Sequence, residues 1–164
     1  MILLTTPSVR APECATAIQT STGQTVRIAA SLQEALGFLR EQSYDLIIFD
    51  HGVMEADPDQ AELAIQHTGT AVVLDVNCAI AGAERIAREA RRALRRREKE
   101  ILAARESAEQ KLCSDLRQPL TALILESELT LNVPDLPAAA IEKLRSIHQL
   151  ATSIGQIIAP MNVG

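Results

Sequence analysis

Aromatic side chains are nearly missing from this sequence: two Phe, one Tyr and no Trp make up 2% of its 164 residues. Proteins that hold single-stranded nucleic acid need aromatic platforms for base stacking, so the composition argues against that class. A core without aromatics has to be built from Leu, Ile, Val and Ala. That suits helix bundles and buried parallel strands better than a ligand-gripping β-barrel. Cysteine is scarce too. Cys14, Cys78 and Cys113 are odd in number and scattered, which indicates neither a disulfide framework nor a paired-Cys metal site; they read as reduced, buried thiols. His51, His67 and His148 are equally dispersed and give no metal-ligand spacing. No metal and no cofactor are therefore expected. No apolar run reaches the roughly 20 residues that span a bilayer, and residues 1–10 lack the charged start and long apolar stretch of a signal peptide. The expectation is a soluble, cytoplasmic protein with no membrane partner.

What is present is an apolar fraction of 47%, sixteen basic and twenty-one acidic residues, and a net charge of −5. This is enough for one packed domain, or for a small domain with a helical extension. Short apolar runs alternate with amphipathic stretches in the first half. Residues 2–5, 24–29, 44–49 and 71–76 read as strands, with helices predicted over 11–20, behind Ser31, and between Pro58 and Gly69. Ser31 and Glu34 form a capping box, each side chain able to satisfy an orphan amide. Leu32, Ala35, Leu36 and Leu39 fall on one face behind it. Residues 44–49 are apolar on both pleat faces, as a central parallel strand requires. Asp57 with Pro58 reads as a helix start and Gly69 as its stop. This order implies an open parallel sheet with right-handed crossovers.

From about residue 80 to residue 131 only Pro119 interrupts helix-compatible sequence, a stretch of roughly 75 Å at 1.5 Å per residue. A second helix is predicted over 137–159, after a turn in which Asp135 is a candidate cap and Pro137 a first-turn residue. Ala140, Leu144, Ile147, Ala151, Ile154 and Ile158 recur along it at spacings of four and three, and Ile141, Leu150 and Ile157 widen the stripe. Two such helices cannot bury so wide an apolar face alone, whereas two hairpins can, as a four-helix bundle. A homodimer is the simplest solution. The Arg-rich stretch 85–99 has Glu84, Glu89, Glu98 and Glu100 interleaved or flanking it, and Ala87, Ala90, Leu94 and Ile101 at inward-like spacings. It reads as a solvated helical linker rather than a nucleic-acid or lipid surface.

The run YDLIIFD at 44–50, followed by HGVMEAD at 51–57, resembles the third strand and following loop of response-regulator receiver domains. The resemblance covers residues 1–78 and implies a shortened flavodoxin-like sheet, with Asp50 in the place of the phosphoryl-accepting aspartate. In that family an acidic pair after the first strand holds Mg²⁺ to neutralise the transferring oxygens. Here Thr5 and Thr6 stand in that place. The family's Ser or Thr after the fourth strand is represented by Asp75 or Val76, and its Lys after a fifth strand has no counterpart. Glu55 and Asp57 are the only loop carboxylates that could join Asp50 at a cation. Asp50 is expected to be retained without phosphotransfer.

The run CSDLRQPLTALILESELTL at 113–131 resembles the phosphoacceptor box of sensor histidine kinases, of general form H-(E/D)-L-R-x-P-L-(T)-x-(I/L). Asp115, Leu116, Arg117, Pro119, Leu120 and Thr121 match in place, and Ser114 occupies the histidine position. The resemblance extends over residues 105–160 and implies a dimerisation hairpin, with Leu116, Leu120 and Leu123 or Ile124 in the bundle core. Pro119 removes an amide and frees the carbonyl of Asp115. A serine hydroxyl is a far weaker nucleophile than imidazole unless a base takes its proton. Folding the hairpin about residues 134–135 sets His148 opposite residue 121, roughly 10 Å along the axis from Ser114, which is too far for direct proton transfer. No nucleotide-binding box follows the hairpin, so the chain is not expected to phosphorylate itself.

The combined expectation is a non-catalytic two-component module: a receiver-like domain (1–78), a helical coiled-coil linker (79–104) and a dimerisation hairpin (105–160). Ser114, Asp115, Arg117 and Pro119 would form a docking surface for histidine kinase or response regulator partners. One alternative is a phosphorelay component still phosphorylated at Asp50. A further alternative is a DNA-binding regulator acting through residues 85–99, which the net negative charge disfavours.

Overall fold

Ser31 opens its helix as the capping box predicts. Its Oγ accepts from the Glu34 N–H at 3.2 Å, and the Glu34 carboxylate reaches back to the Ala30 N–H at 2.8 Å. Asp57 does the same for its own helix, accepting from the Gln60 N–H at 3.0 Å with Pro58 behind it. Such caps fix where the chain turns from strand to helix. The structure is a computed structural model and describes residues 1–158. Its elements are β1 (Ile2–Thr5), α1 (Ala11–Thr22), β2 (Val26–Ala29), α2 (Leu32–Glu41), β3 (Leu46–Asp50), α3 (His51–Ala56), α4 (Pro58–Gln66), β4 (Val72–Val76), α5 (Ala83–Leu131) and α6 (Ala138–Ile158). Residues 51–57, read from sequence as a loop, hold the short helix α3. The predicted end of the second long helix at 159–160 lies outside the described residues.

The four strands pair in parallel in the order β2-β1-β3-β4. The central strands β1 and β3 are buried along their whole length, because both of their faces are covered. Ile2, Leu4, Leu46 and Ile48 pack with Cys14, Ala15 and Ile18 of α1 and with Ala83, Ile86, Ala87 and Ala90 of α5. Leu3, Ile47 and Phe49 face the other way, toward Leu32, Ala35 and Leu36 of α2 and Ala61 and Ala64 of α4. The chain accordingly divides into a unit spanning Met1–Glu100 and a second from Ile101 onward. The stretch expected to be a solvated linker therefore begins inside the α/β unit, with Ile86 fully buried.

In the second unit α5 continues through Pro119 to Leu131, and α6 follows a six-residue turn. Asp135 takes a left-handed φ of 64°, which Asp tolerates better than most residues. Pro137, and not the expected Asp135, stands at the start of α6, its carbonyl accepting from Ala140 and Ile141 at 2.8 and 3.1 Å. The better-covered positions of α6 are Ala140, Ile141, Leu144, His148, Ala151, Thr152, Gly155 and Ile158, of which Ile141, Leu144, His148, Ala151, Gly155 and Ile158 follow one another by three and four. Among the described residues no helix is long and apolar enough to cross a membrane.

If α5 begins in the core, Ile86→Ala should destabilise the α/β unit by about 2–5 kcal/mol, the usual cost of a buried Ile-sized cavity. Ile101→Ala, at a position 54% exposed, should change stability by no more than about 0.5 kcal/mol. Urea unfolding of both variants checks the contrast, and equal losses would remove residue 86 from the core.

Candidate functional site

Parallel pairing of β1 with β3 brings Thr5, Thr6 and Asp50 to the same carboxyl edge of the sheet. Strand connections diverge there, since β1 has β2 on one side and β3 on the other, and this is where open parallel sheets bind ligands. Strand alternation decides which threonine matters. Thr6 falls on the Ile2–Leu4 face and meets Asp50, its hydroxyl donating to Asp50 Oδ2 at 2.5 Å. Asp50 Oδ1 accepts from the Cys78 N–H at 3.3 Å, and Thr6 Oγ1 itself accepts from the Ser8 N–H at 3.2 Å. Thr5 is buried on the other face, and among the described residues its hydroxyl has no hydrogen-bond partner. Asp50 is 8% exposed and, although it precedes α3, its carboxylate does not cap that helix.

The remaining acids near this edge have other tasks. His51 Nδ1 lies 3.1 Å from Asp75 Oδ2, and His51 Nε2 lies 3.2 Å from Glu55 Oε1. The hydrogen bond to Asp75, followed by the charge of Glu55, raises the His51 pKa above its ordinary value. Asp57 caps α4. Burial, reinforced by the negative charge of Asp50, pushes the Cys78 thiol up to about 11, and burial likewise raises Cys14. Neither is a reactive thiolate at neutral pH.

This donor set does not fit the Mg²⁺ that a receiver site implies. A small octahedral cation needs several oxygen ligands around one point. Here Asp50 is enclosed by a hydroxyl and an amide, Glu55 and Asp75 hold His51, and Asp57 holds a helix end. Among the described residues no group of three or more His, Cys, Asp or Glu converges as a metal site. Asp50 itself lines a cleft of about 470 Å³, together with residues that include Ser31, Asp57 and Gln60 and with no Lys or Arg. It offers no positive charge to a transferring phosphoryl group, which such chemistry requires.

The second candidate surface lies on α5. Ser114, Asp115, Arg117 and Pro119 are all exposed. Pro119 has no N–H to give the Asp115 carbonyl, yet the helix continues through it. The Thr121 hydroxyl donates to the Arg117 carbonyl at 2.9 Å. Among the described residues, the side chains of Ser114, Asp115 and Arg117 make no hydrogen bond or ion pair, so no base stands beside Ser114. Leu116 and Leu123, expected in a bundle core, are 41% and 44% exposed in the single chain, and Leu120 and Ile124 are half-buried.

His148 differs from expectation. It pairs with Ser127, six residues beyond the expected residue 121, with Nδ1 at 2.9 Å from Ser127 Oγ. The turn is not tight: residues 132–137 advance along the axis before α6 returns, so the pairing is displaced toward the turn. Ser114 is thirteen residues from Ser127, about 20 Å along α5, which removes His148 further still from any role at Ser114. The Ser127 hydroxyl has one hydrogen and gives it to the Ile124 carbonyl at 2.7 Å. The imidazole Nδ1–H must then be the donor to Ser127, leaving Nε2 3.8 Å from Glu128. The sequence does not reveal this pair because folding the hairpin about residues 134–135 sets His148 opposite residue 121.

Thr6→Val keeps the shape and removes the donor. It should cost about 1–3 kcal/mol, because a buried carboxylate oxygen loses its partner. Thr5→Val, which removes a hydroxyl that has no partner, should be neutral or stabilising. Thermal unfolding of the pair checks the difference, and equal effects would deny the Thr6–Asp50 bond its role. No family model matches the sequence, and neither a curated protein nor a solved structure does.

Proposed function

We propose that this chain is a non-catalytic, dimeric two-component signalling module, in which a receiver-like domain and a histidine-kinase-like dimerisation hairpin have both lost phosphotransfer. The observation that carries the reading is that the Asp50 carboxylate is engaged by the Thr6 hydroxyl and the Cys78 amide, with no second acid beside it to share a cation. The strand order β2-β1-β3-β4 agrees with the first four strands of the flavodoxin-like order 2-1-3-4-5. Buried, unpaired thiols at Cys14 and Cys78 suit a reducing cytoplasm.

Dimerisation follows from apolar surface that one hairpin leaves uncovered. Ile147, Leu150, Ile154 and Ile157 form a second seam on α6, spaced three, four and three, with exposures of 42%, 62%, 45% and 71%. Leu112, Leu116 and Leu123 are similarly exposed on α5. A helix with two adjacent apolar seams belongs in a bundle of more than two helices. Full burial of such a side chain is worth about 1.5–3 kcal/mol, and roughly half of each remains to be covered. Two copies together then gain about 10–20 kcal/mol, against an association cost of about 4–15 kcal/mol. The balance favours the dimer. Ser114, Asp115, Arg117 and Pro119 then present a docking surface for receivers or kinase domains, where the module acts as a scaffold or competitor and not as an enzyme.

Incubation with acetyl phosphate and Mg²⁺, followed by intact mass measurement, should add no phosphoryl group. A gain abolished by Asp50→Ala would replace this reading with that of a working phosphorelay component. Light scattering should give a dimer, and Leu150→Glu with Ile154→Glu should give a monomer of unchanged α/β stability. A wild-type monomer at micromolar concentration would refute the dimer.

A further inference from the structure

Positive charge in this chain is concentrated in one place. Residues 85–99 contain seven Arg and one Lys against two Glu, half of the chain's sixteen cations, in a protein of net charge −5. The α/β unit determines which way they face. Ile86, Ala87 and Ala90 are buried in the sheet core and Ala93 and Leu94 pack beside it, so the cations point outward. Three of the eight are engaged: Arg85 with Glu89 at 3.1 Å, Arg96 with Glu100 at 3.4 Å, and Arg97 with the Thr70 carbonyl at 3.2 Å. Arg88, Arg91, Arg92, Arg95 and Lys99 are exposed and, among the described residues, make no ion pair or side-chain hydrogen bond. Arg88, Arg92, Arg95 and Lys99 follow one another at spacings of four, three and four. They form a single stripe about 16 Å long at 1.5 Å per residue, with Arg91 at its side.

Like charges at these spacings repel by a few tenths of a kcal/mol per pair, so the stripe does not serve the stability of α5. It suits a row of anions. A lipid surface is disfavoured, because a helix lying in the bilayer interface must insert its apolar face, and here that face is occupied by the sheet. Single-stranded nucleic acid is disfavoured by the want of aromatics. Arginine predominates over lysine seven to one, and its planar fork matches phosphate oxygens bidentately. Each strand of a duplex offers one phosphate per about 3.4 Å of axis, enough to meet every cation of the stripe. The net negative charge is no obstacle. At physiological ionic strength fields decay over about 8 Å, half the stripe's length, so the local excess dominates what a ligand there meets.

We propose that the exposed Arg88, Arg91, Arg92, Arg95 and Lys99 of α5 bind the phosphate backbone of duplex nucleic acid without reading its sequence. The surface is independent of Asp50 and Ser114, and stands whether or not the signalling reading does.

The test is fluorescence anisotropy of the full chain with a labelled random-sequence DNA duplex across about 50–200 mM salt. Binding should weaken with salt, with a slope of log K on log salt of about −4 per chain for four to five neutralised phosphates. Arg88→Gln, Arg92→Gln and Arg95→Gln together should reduce that slope by about 2.7, and unchanged circular dichroism would confirm the fold. Arg96→Gln, at a cation already paired with Glu100, should leave the slope within about half a unit. Absence of binding at low salt, or a triple variant that binds like the wild type, would overturn the proposal. Binding to phosphatidylserine vesicles but not to the duplex would overturn it in favour of a lipid surface.

Discussion

A four-stranded parallel sheet sets the terms for everything else in this molecule. Strands lie about 4.8 Å apart, so the sheet is close to 19 Å wide, whereas a helix with its side chains is about 10–12 Å across. Each face therefore needs two helices. On one face α2 and α4 provide them. On the other α1 is alone among the preceding elements, and the first turns of α5 supply the second cover through Ala83, Ile86, Ala87 and Ala90. Three of these four are alanine, which lets the helix approach the strands closely while Ile86 fills the space between. A helix committed to the sheet in this way cannot turn its opposite side inward, so the direction of its arginines follows from the width of the sheet.

The same packing gives Asp50 a structural task. Its carboxylate ties three segments: Thr6 in the β1–α1 loop, the end of β3 itself, and Cys78 in the turn that leads from β4 into α5. The bond from the Cys78 amide holds the β4–α5 turn against the sheet edge from which the long helix starts, and the bond from Thr6 holds the β1–α1 loop beside it. In a receiver site the same oxygens would be needed by a cation. Here a neutral hydroxyl gives a single proton where a second acid would have given the cation another ligand.

Much of this was legible in the sequence because it rests on local rules. The caps at Ser31 and Asp57 and the apolar runs of β1, β3 and β4 lie within a few residues of their predicted positions. The parts that were not legible depend on distant partners. Residues 51–57 read as a loop through the resemblance to a receiver, where a loop follows the third strand, and the short helix α3 there has no side-chain cap from Asp50, whose carboxylate goes to Thr6 and Cys78. The α/β unit extends past residue 78 because the inward-spaced Ala87 and Ala90 of α5, with Ile86, pack on the sheet, and their spacing alone does not say what they pack against. Thr5 and Thr6 looked equivalent until the pleat divided them between two faces. His148 was placed by folding the hairpin symmetrically, and the six-residue turn is not symmetrical.

The Ser127–His148 pair adds a constraint that apolar seams alone cannot supply. Leucine and isoleucine at spacings of three and four allow two helices to slide by a turn with little loss, since one aliphatic side chain replaces another. A shift of one turn would part His148 from Ser127 and set it against Leu123 or Ile124 in one direction and Thr130 or Leu131 in the other. Losing a hydrogen bond at this partly buried position costs about 0.5–1.5 kcal/mol, which favours the observed register. A single buried polar contact is a known means of fixing register in helical assemblies. With the register fixed, the outer seam of Ile147, Leu150, Ile154 and Ile157 has one defined shape. On the dimeric reading, it is this shape that a second copy has to match.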